Sequence, residues 1–368
     1  MATSRLHQLS ELGQSVWIDF LSRDMLRSGK LRALMDEDAV VGVTSNPTIF
    51  QKAISAGDAY DEQLRRELEE ESDPKELFLR LAIKDVQDAC DLLRPVWDAG
   101  KGQDGYVSLE VDPTLAFDTE GTIAEAARLH EVVDRANLFV KIPATEPGLP
   151  AIEEMIARGK SINVTLIFSL QRYSEVAEAY VRGLERLVEA GGDPSTVASV
   201  ASFFVSRVDT EADRRLDEVG GPEELKGTLA VANAKLAYRR YQEIFSGDRW
   251  SALAERGATT QRCLWASTST KNPAYRDILY VEELIGPQTV NTMPEETIDA
   301  FQDHGNVELT LTQGLEEANQ VLRRFEEAGI DYDDVTATLE REGVDKFSES
   351  FAELLDGIRA KSGELVAS

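Results

Sequence analysis

The residue best placed to do chemistry is a lysine within an apolar segment. Lys141 stands in segment 138–143 (LFVKIP), with apolar neighbours on both sides. Lysine is seldom buried without a reason. One interpretation is structural: the ammonium pairs with a carboxylate such as Glu110, or extends toward the strand end. The other is chemical, because an amine kept neutral by desolvation is the nucleophile that Schiff-base formation with a carbonyl substrate requires.

Polar residues recur where other apolar segments end. They are Asp19, Asn46, Glu110, Lys141, Asn163 with Thr165, Ser202, Ser267 and Asn291. Burying any of these without a partner would cost about 1 to 3 kcal/mol, so a core does not need them. We expect them to surround one polar pocket, which favours the chemical interpretation of Lys141. Asp19 and Glu110 lie on different segments, where two carboxyl groups can take different acid and base roles.

The segments that carry these residues alternate with helical patterns along the chain. The apolar, β-branched segments are 16–19, 40–44, 107–111, 138–142, 162–167, 197–205, 262–266 and 289–293. Strands that alternate with helices are typical of parallel pairing, and eight such units predict a (β/α)₈ TIM barrel. The alternative is an open doubly wound sheet. That sheet would need a glycine-rich turn after its first strand, which segment 18–23 lacks.

No linker of Pro, Gly and Ser divides the 368 residues, so the sequence predicts one domain over 1–368. Helical insertions are expected at about 50–100 and 208–260. Extra helices are expected within about 311–361, at 316–329 and 344–361, with a capped acidic turn at 331–334 between them.

Composition excludes several classes of function. With 67 acidic and 39 basic residues the net charge is −28, which makes nucleic acid and anionic membranes poor partners. The two cysteines, Cys90 and Cys263, form no CxxC pair, and the three histidines are isolated. We therefore expect no metal, no other cofactor, no disulfide and a cytoplasmic location. Monomer and homodimer both stay open.

Four motifs occur in a specific order. They are GVTSNPTIF at 42–50, LEVDP at 109–113, VKIPAT at 140–145 and INVTLIF at 162–168. In that order the chain resembles the transaldolases, and the resemblance extends from Val16 to about His304. It implies a class I Schiff-base enzyme on a TIM barrel, acting in the non-oxidative pentose phosphate pathway. Its phosphorylated sugar substrates would be sedoheptulose 7-phosphate and glyceraldehyde 3-phosphate, which give erythrose 4-phosphate and fructose 6-phosphate by transfer of a dihydroxyacetone unit.

The resemblance also implies a role for each matching residue. Lys141 would form the Schiff base, Asp19 would handle the C4 hydroxyl proton, and Glu110 with Thr165 would position a catalytic water. Asn46, Asn163 and Ser202 would hold donor hydroxyls, Phe204 would stand beside the water, and Arg207 would bind phosphate.

One departure concerns the phosphate site. Many members of this family carry ASFRN after the seventh strand, where the arginine binds phosphate, whereas this chain has ASTSTKNP at 266–273. Lys271, aided by Ser267 and Ser269, is the expected substitute, although lysine lacks the bidentate geometry of arginine. Such changes are expected of a longer bacterial type of transaldolase. Two alternatives stay open: a related lysine aldolase that releases dihydroxyacetone, and a non-catalytic barrel that binds phosphosugars.

Overall fold

Eight short strands pair in parallel and close into a barrel in the computed structural model, which describes residues 4–367. The strands are β1 (Gln14–Ile18), β2 (Val40–Val43), β3 (Val107–Glu110), β4 (Leu138–Pro143), β5 (Ile162–Ile167), β6 (Ser199–Phe204), β7 (Arg262–Ala266) and β8 (Thr289–Met293). Each strand pairs with the next, and β1 pairs with both β2 and β8. The predicted (β/α)₈ barrel is confirmed, and the open sheet is excluded.

Helices supply the crossovers that parallel strands need. Those before the fourth strand are α1 (Arg5–Glu11), α2 (Arg23–Arg27), α3 (Lys30–Glu37), α4 (Pro47–Ser55), α5 (Asp61–Glu67), α6 (Pro74–Ala99) and α7 (Thr119–Val133). Those that follow are α8 (Gly148–Ala157), α9 (Leu170–Glu189), α10 (Ser206–Val219), α11 (Leu229–Ile244), α12 (Asp248–Ala254), α13 (Leu279–Glu282), α14 (Glu295–His304), α15 (Leu315–Glu327) and α16 (Tyr332–Ala367). No helix within residues 4–367 is long and apolar enough to cross a membrane.

The strand register brings chemically active residues together. Glu110 on β3 is the Cα partner of Lys141 on β4, and Lys141 is in turn the partner of Asn163 on β5. Strand residues in register point to the same face, so these three side chains share one side of the barrel wall. Every residue of the eight strands is buried except Val41 and Glu110, which are half-buried. Glu110 is the last residue of its strand, where the barrel opens.

The last helix, α16, differs from the expectation for this region. The expected helix start at Val344 was wrong, because a single helix of 36 residues begins at Tyr332. The acidic turn expected at 331–334 is its first turn: Asp331 Oδ1 accepts hydrogen bonds from Asp333 N at 2.9 Å and Asp334 N at 3.1 Å. A carboxylate there satisfies backbone donors at a helix start. The helix then packs against α4, α5, α6 and α10 and reaches β5.

Candidate active site

A cavity of about 320 Å³ opens at the C-terminal ends of the strands. This is the end at which TIM barrels carry their active sites. Its lining comprises Asp19, Thr44, Asn46, Thr48, Ile49, Lys52, Lys141, Thr165, Ser202, Phe204, Arg207, Ala266, Ser267, Ser269, Lys271, Thr292, Pro294, Glu296 and Phe347. Nine of the eleven site residues predicted from the sequence are among them, and the remaining two, Glu110 and Asn163, lie directly behind this lining.

Lys141 reaches the cavity from the barrel wall and is 5% exposed. Its Nζ donates to the Ser45 carbonyl at 3.1 Å and lies 3.3 Å from Glu110 Oε2. The structural and chemical interpretations of this lysine are therefore compatible, because the ion pair with Glu110 exists and the amine still borders the cavity. Loss of a proton from Nζ would free a lone pair for attack on a carbonyl carbon.

The Glu110 carboxyl is the nearest proton acceptor for that step. Burial raises the pKa of Glu110 above its usual value, and the charge and hydrogen bond of Lys141 oppose this rise. A buried ammonium–carboxylate pair and its neutral counterpart lie closer in energy than they would in water, because desolvation penalises both charges. Glu110 is thus within reach to exchange a proton with the amine, which is what imine formation requires.

Asp19, at the end of β1, faces the same cavity with different partners. Thr44 Oγ1 donates to its Oδ1 at 2.7 Å, and Thr44 is within 2.6 Å of Thr292 Oγ1. Burial raises the pKa of Asp19, while the Thr44 hydrogen bond and the charges of Lys141 and Lys271 lower it. The two carboxyl groups therefore occupy distinct environments, which is the arrangement that lets one site run acid and base steps.

A small polar network lies next to the lysine on β5 and β6. Ser202 Oγ donates to Asn163 Oδ1 at 2.7 Å, and Asn163 Nδ2 donates to Ser108 Oγ at 3.1 Å. Asn163 is fully buried and orients Ser202 toward the cavity without lining it. Thr165 Oγ1 borders the cavity and has no hydrogen-bond partner among the described residues. A buried hydroxyl without a partner is a natural site for a water or a substrate hydroxyl.

Asn46 and Ser267 line the cavity in backbone positions that fix their side chains. Asn46 caps α4, its Oδ1 accepting from Ile49 N at 3.0 Å, so its amide NH₂ remains for a ligand. Ser267 follows β7 with φ of 56° in the left-handed region, and its hydroxyl lies 3.0 Å from that of Ser206. A non-glycine residue held in this region is often found at a functional site.

Three cations surround the mouth of the cavity. Arg207 stands with its Cζ 5.4 Å above the Phe204 ring, and Lys271 Nζ donates to Ser269 Oγ at 2.6 Å. Lys52, on α4, was not anticipated from the sequence. None of the three has a carboxylate within ion-pair distance in residues 4–367. In a chain of net charge −28, cations left without partners at one mouth suit an anionic group such as a phosphate.

Lining residues that sequence reasoning did not single out include Thr44, Lys52, Thr292, Glu296 and Phe347. Thr44 lies within the 42–50 motif and could have been found there, since it precedes the capping asparagine by two positions. Lys52 and Phe347 come from helices, and nothing in the sequence indicates which helical face turns toward the pocket. Asn291, expected at the pocket, is instead fully buried and accepts from Thr268 Oγ1 at 2.9 Å, while its neighbour Thr292 lines the cavity.

Two further observations bear on cofactors and on competing sites. No cluster of His, Cys, Asp and Glu suited to a metal ion occurs in residues 4–367. A larger groove of about 980 Å³ lies on the outer helices α8, α9 and α11. Three of its four arginines pair with neighbouring glutamates, as Arg182 does with Glu153 at 2.7 Å. The smaller cavity at the strand ends therefore holds the reactive groups.

A TIM barrel with a buried lysine–carboxylate pair at its C-terminal face is the arrangement that a lysine-dependent aldolase requires. The family model described as Transaldolase/Fructose-6-phosphate aldolase matches residues 16–358. The chain is 54% identical over 361 residues to the Transaldolase of Frankia alni, covering 97% of each protein. It is 56% identical to the Transaldolase of Acidothermus cellulolyticus, covering 96% of this chain and 95% of that one.

A third relative, Transaldolase 2 of Streptomyces avermitilis, is 52% identical over 369 residues, covering 100% of this chain and 99% of its own. The chain belongs to the transaldolase/fructose-6-phosphate aldolase family. The predicted family, and with it an enzyme with transaldolase activity on a TIM barrel, is confirmed.

Proposed function

We propose that this transaldolase moves a dihydroxyacetone unit between phosphorylated sugars through a Schiff base on Lys141. The donor is sedoheptulose 7-phosphate or fructose 6-phosphate, and the acceptors are glyceraldehyde 3-phosphate and erythrose 4-phosphate. The observation that carries the assignment is the Lys141 amine, buried at the cavity and 3.3 Å from the Glu110 carboxylate. Such a neighbour can take the proton that blocks nucleophilic attack.

In the first half of the reaction, the Nζ lone pair of Lys141 attacks C2 of the donor ketose. The carbinolamine loses its hydroxyl as water once Glu110 supplies a proton, and the imine forms. Thr165 Oγ1, which lacks a hydrogen-bond partner, would hold that water beside the glutamate. The Phe204 ring would form an apolar wall of the site, where it packs against the Phe168 ring with 5.3 Å between the ring centroids.

Cleavage of the C3–C4 bond follows when a base removes the C4 hydroxyl proton. Asp19 is the base in this proposal, because it lines the cavity and its partner Thr44 fixes one carboxylate oxygen. The C4–O bond becomes a carbonyl, the aldose phosphate leaves, and the electron pair stays on the lysine-bound triose. Asn46 and Ser202 would hold the triose hydroxyls until an aldehyde acceptor arrives and the steps reverse.

The phosphate of either sugar would bind at the cationic mouth. Arg207 supplies a fork of donors beside Phe204, and Lys271 with Ser267 and Ser269 supplies single donors from the segment after β7. Lys52 approaches from α4 on another side. Because donor and acceptor carry phosphate at the same end, one anion site serves both half-reactions.

Reduction by borohydride in the presence of fructose 6-phosphate tests the central assignment. Borohydride converts the imine into a stable secondary amine, so the intact mass should increase by one reduced adduct on Lys141. Lys141→Ala should show no adduct and should lose nearly all turnover, whereas Lys160→Ala should keep both. An adduct that persists in Lys141→Ala, or that maps to Lys160 or Lys271, would overturn the assignment.

The setting of the enzyme is also a proposal. We place it in the cytoplasm, where phosphorylated sugars are made, and both cysteines are free and buried, in accord with a reducing compartment. We propose that the chain acts as one domain, since α16 packs on the barrel itself. The acidic surface argues against a nucleic-acid partner.

A further inference from the structure

A phenylalanine from the last helix lies opposite the reactive lysine. Phe347 on α16 lines the cavity and is 6% exposed, and its ring centroid is 5.9 Å from Lys141 Nζ. The helix that carries it begins about 40 residues after β8 ends and lies outside the eight strand–helix units. The side chain is thus an addition to the barrel that faces the site of Schiff-base formation.

The position of Phe347 is fixed by close packing on both sides. One turn earlier, Gly343 lies so near β5 that a Cβ there would be 3.0 Å from Leu166 Cδ2 and 3.5 Å from Phe168 Cε2. On the other side, Thr48 Oγ1 of α4 donates to Ser350 Oγ at 2.8 Å. Helix α16 is therefore held between β5 and α4, with Phe347 directed into the space between them.

An apolar ring beside Lys141 affects which of two reactions follows cleavage of the first sugar. Once the first sugar is cleaved, the triose remains bound to Lys141. Attack by an acceptor aldehyde forms a C–C bond and completes transfer. If the triose is instead protonated at C3, water adds to C2, the C–N bond breaks, and free dihydroxyacetone leaves the regenerated amine. The two outcomes compete for one intermediate, so their ratio depends on the access of water to C2, the carbon bound to the lysine nitrogen.

We propose that Phe347 is a specificity-determining residue that shields the lysine-bound triose from water and so favours transfer over release. The ring excludes water from one side of the C=N bond, where water would add to C2, and its face also attracts the cationic iminium. This inference rests on the proposed function of Lys141 and adds to it the reason why the enzyme is a transferase rather than an aldolase.

Phe347→Leu tests the proposal, with Phe351→Leu as the matched control. Phe351 lies one turn further along α16, is 5% exposed, and packs edge-on against Phe78 with ring centroids 5.9 Å apart, outside the cavity lining. For each variant the rate of dihydroxyacetone release from fructose 6-phosphate without acceptor is divided by the rate of transfer to erythrose 4-phosphate. The ratio should rise roughly tenfold in Phe347→Leu and stay at the wild-type value in Phe351→Leu.

Two further variants separate shielding from loss of fold. Phe347→Tyr keeps the ring and should return the ratio to near the wild-type value, and Phe347→Met repeats the test if the leucine variant folds poorly. An unchanged ratio in the folded Leu or Met variant, or an equal rise in Phe351→Leu, would overturn the proposal. Failure of the wild-type enzyme to form the borohydride adduct would instead count against the proposed function of Lys141.

Discussion

Two carboxyl groups at one pocket have different hydrogen-bond partners, which suits them to different chemical steps. Asp19 accepts from the Thr44 hydroxyl, whereas Glu110 lies against the Lys141 ammonium. Burial raises the pKa of both. A carboxyl group beside the amine is placed to serve imine formation, and one beside a neutral hydroxyl is placed to serve bond cleavage.

The variants Asp19→Asn and Glu110→Gln should therefore block different steps. Asp19→Asn should still form the reducible adduct but should lose about 10² to 10⁴-fold in turnover, because C3–C4 cleavage lacks its base. Glu110→Gln should slow adduct formation itself. Single-turnover trapping by borohydride, followed by mass spectrometry, measures the first step apart from cleavage. Equal trapping rates in the two variants would contradict this division of roles.

The cationic mouth leads to a prediction about substrate binding. Lys271 is exposed, lines the cavity and donates to Ser269 Oγ, and a contact from it to a substrate phosphate would be shared by ground and transition states. Lys271→Ala should raise KM for fructose 6-phosphate by about 3- to 10-fold and leave kcat nearly unchanged.

Fructose and dihydroxyacetone, which have no phosphate, serve as the internal comparison for Lys271→Ala and should be used as well as before. Lys84→Ala, in a surface ion pair on α6, controls for loss of charge in general. If Lys271→Ala lowers turnover equally for phosphorylated and unphosphorylated donors, Lys271 is not a phosphate ligand.

Whether a site residue could be predicted from the sequence depends on whether it lies on a strand or on a helix. Because side chains along a strand alternate between its two faces, a lysine flanked by apolar residues was expected to face a pocket or an ion-pair partner. Lys141 borders the cavity and also pairs with Glu110. Lys52 and Phe347 could not be predicted, because the packing of a helix on the barrel decides which of its faces meets the cavity. The catalytic and binding roles of the eleven residues stay predictions.

At the scale of elements, the hydroxyl of Tyr332 links the first turn of α16 to two neighbouring helices. Tyr332 Oη donates to Asn233 Oδ1 at 2.6 Å and accepts from Leu170 N, at the start of α9, at 3.0 Å. Asn233 also donates to the Phe168 carbonyl at 2.7 Å. This one network joins α16 to α9, α11 and the end of β5.

Tyr332→Phe should therefore destabilise the fold by about 1 to 3 kcal/mol, because it leaves the Leu170 N–H and the Asn233 carbonyl without partners. Urea unfolding measures the loss, and amide hydrogen exchange should increase in the first turns of α16 and α9. Tyr106→Phe removes a hydroxyl bonded to the Gly102 carbonyl at 2.9 Å, far from α16, and is the matched control. Exchange that increases equally around α16 in both variants would refute this role of Tyr332.

The barrel elements could be predicted from sequence far better than α16 could. All eight strands begin and end within two residues of the expected limits, since short β-branched runs bounded by turns are typical of buried parallel strands. The first turns of α16 are rich in Asp, Glu and Thr and resemble a solvated turn, yet tertiary contacts such as those of Tyr332 hold them helical.

At the scale of the whole molecule, a buried carboxyl links stability to pH. Asp209 on α10 is 1% exposed; its Oδ1 accepts from Ala230 N at 2.7 Å and its Oδ2 from Tyr280 Oη at 2.9 Å. Burial raises the pKa of Asp209 to about 7 despite these hydrogen bonds. The folded protein therefore holds a proton there that the unfolded chain releases at a lower pH.

The sign of the effect follows from linkage. Because the folded pKa is the higher one, this group stabilises the fold most below pH 4, and that contribution is lost as pH rises to about 7. Asp209→Asn keeps an acceptor for Ala230 N and should remove up to about 1.4 kcal/mol per pH unit from the slope of unfolding free energy in that window. Urea unfolding at pH 5, 6 and 7 measures it, with surface Asp88→Asn as control. Parallel slopes in wild type and Asp209→Asn would show that Asp209 does not bind the proton.

The place of α16 after the eight strands also bears on the order in which the enzyme is made. A ribosome completes all eight strands, with Lys141 and both carboxylates, by residue 293, but Phe347 emerges only afterwards. Domains begin to fold from the N-terminal side during synthesis. The strands and their lysine are thus synthesised before the wall beside them, and a helix translated after the eighth strand completes the pocket.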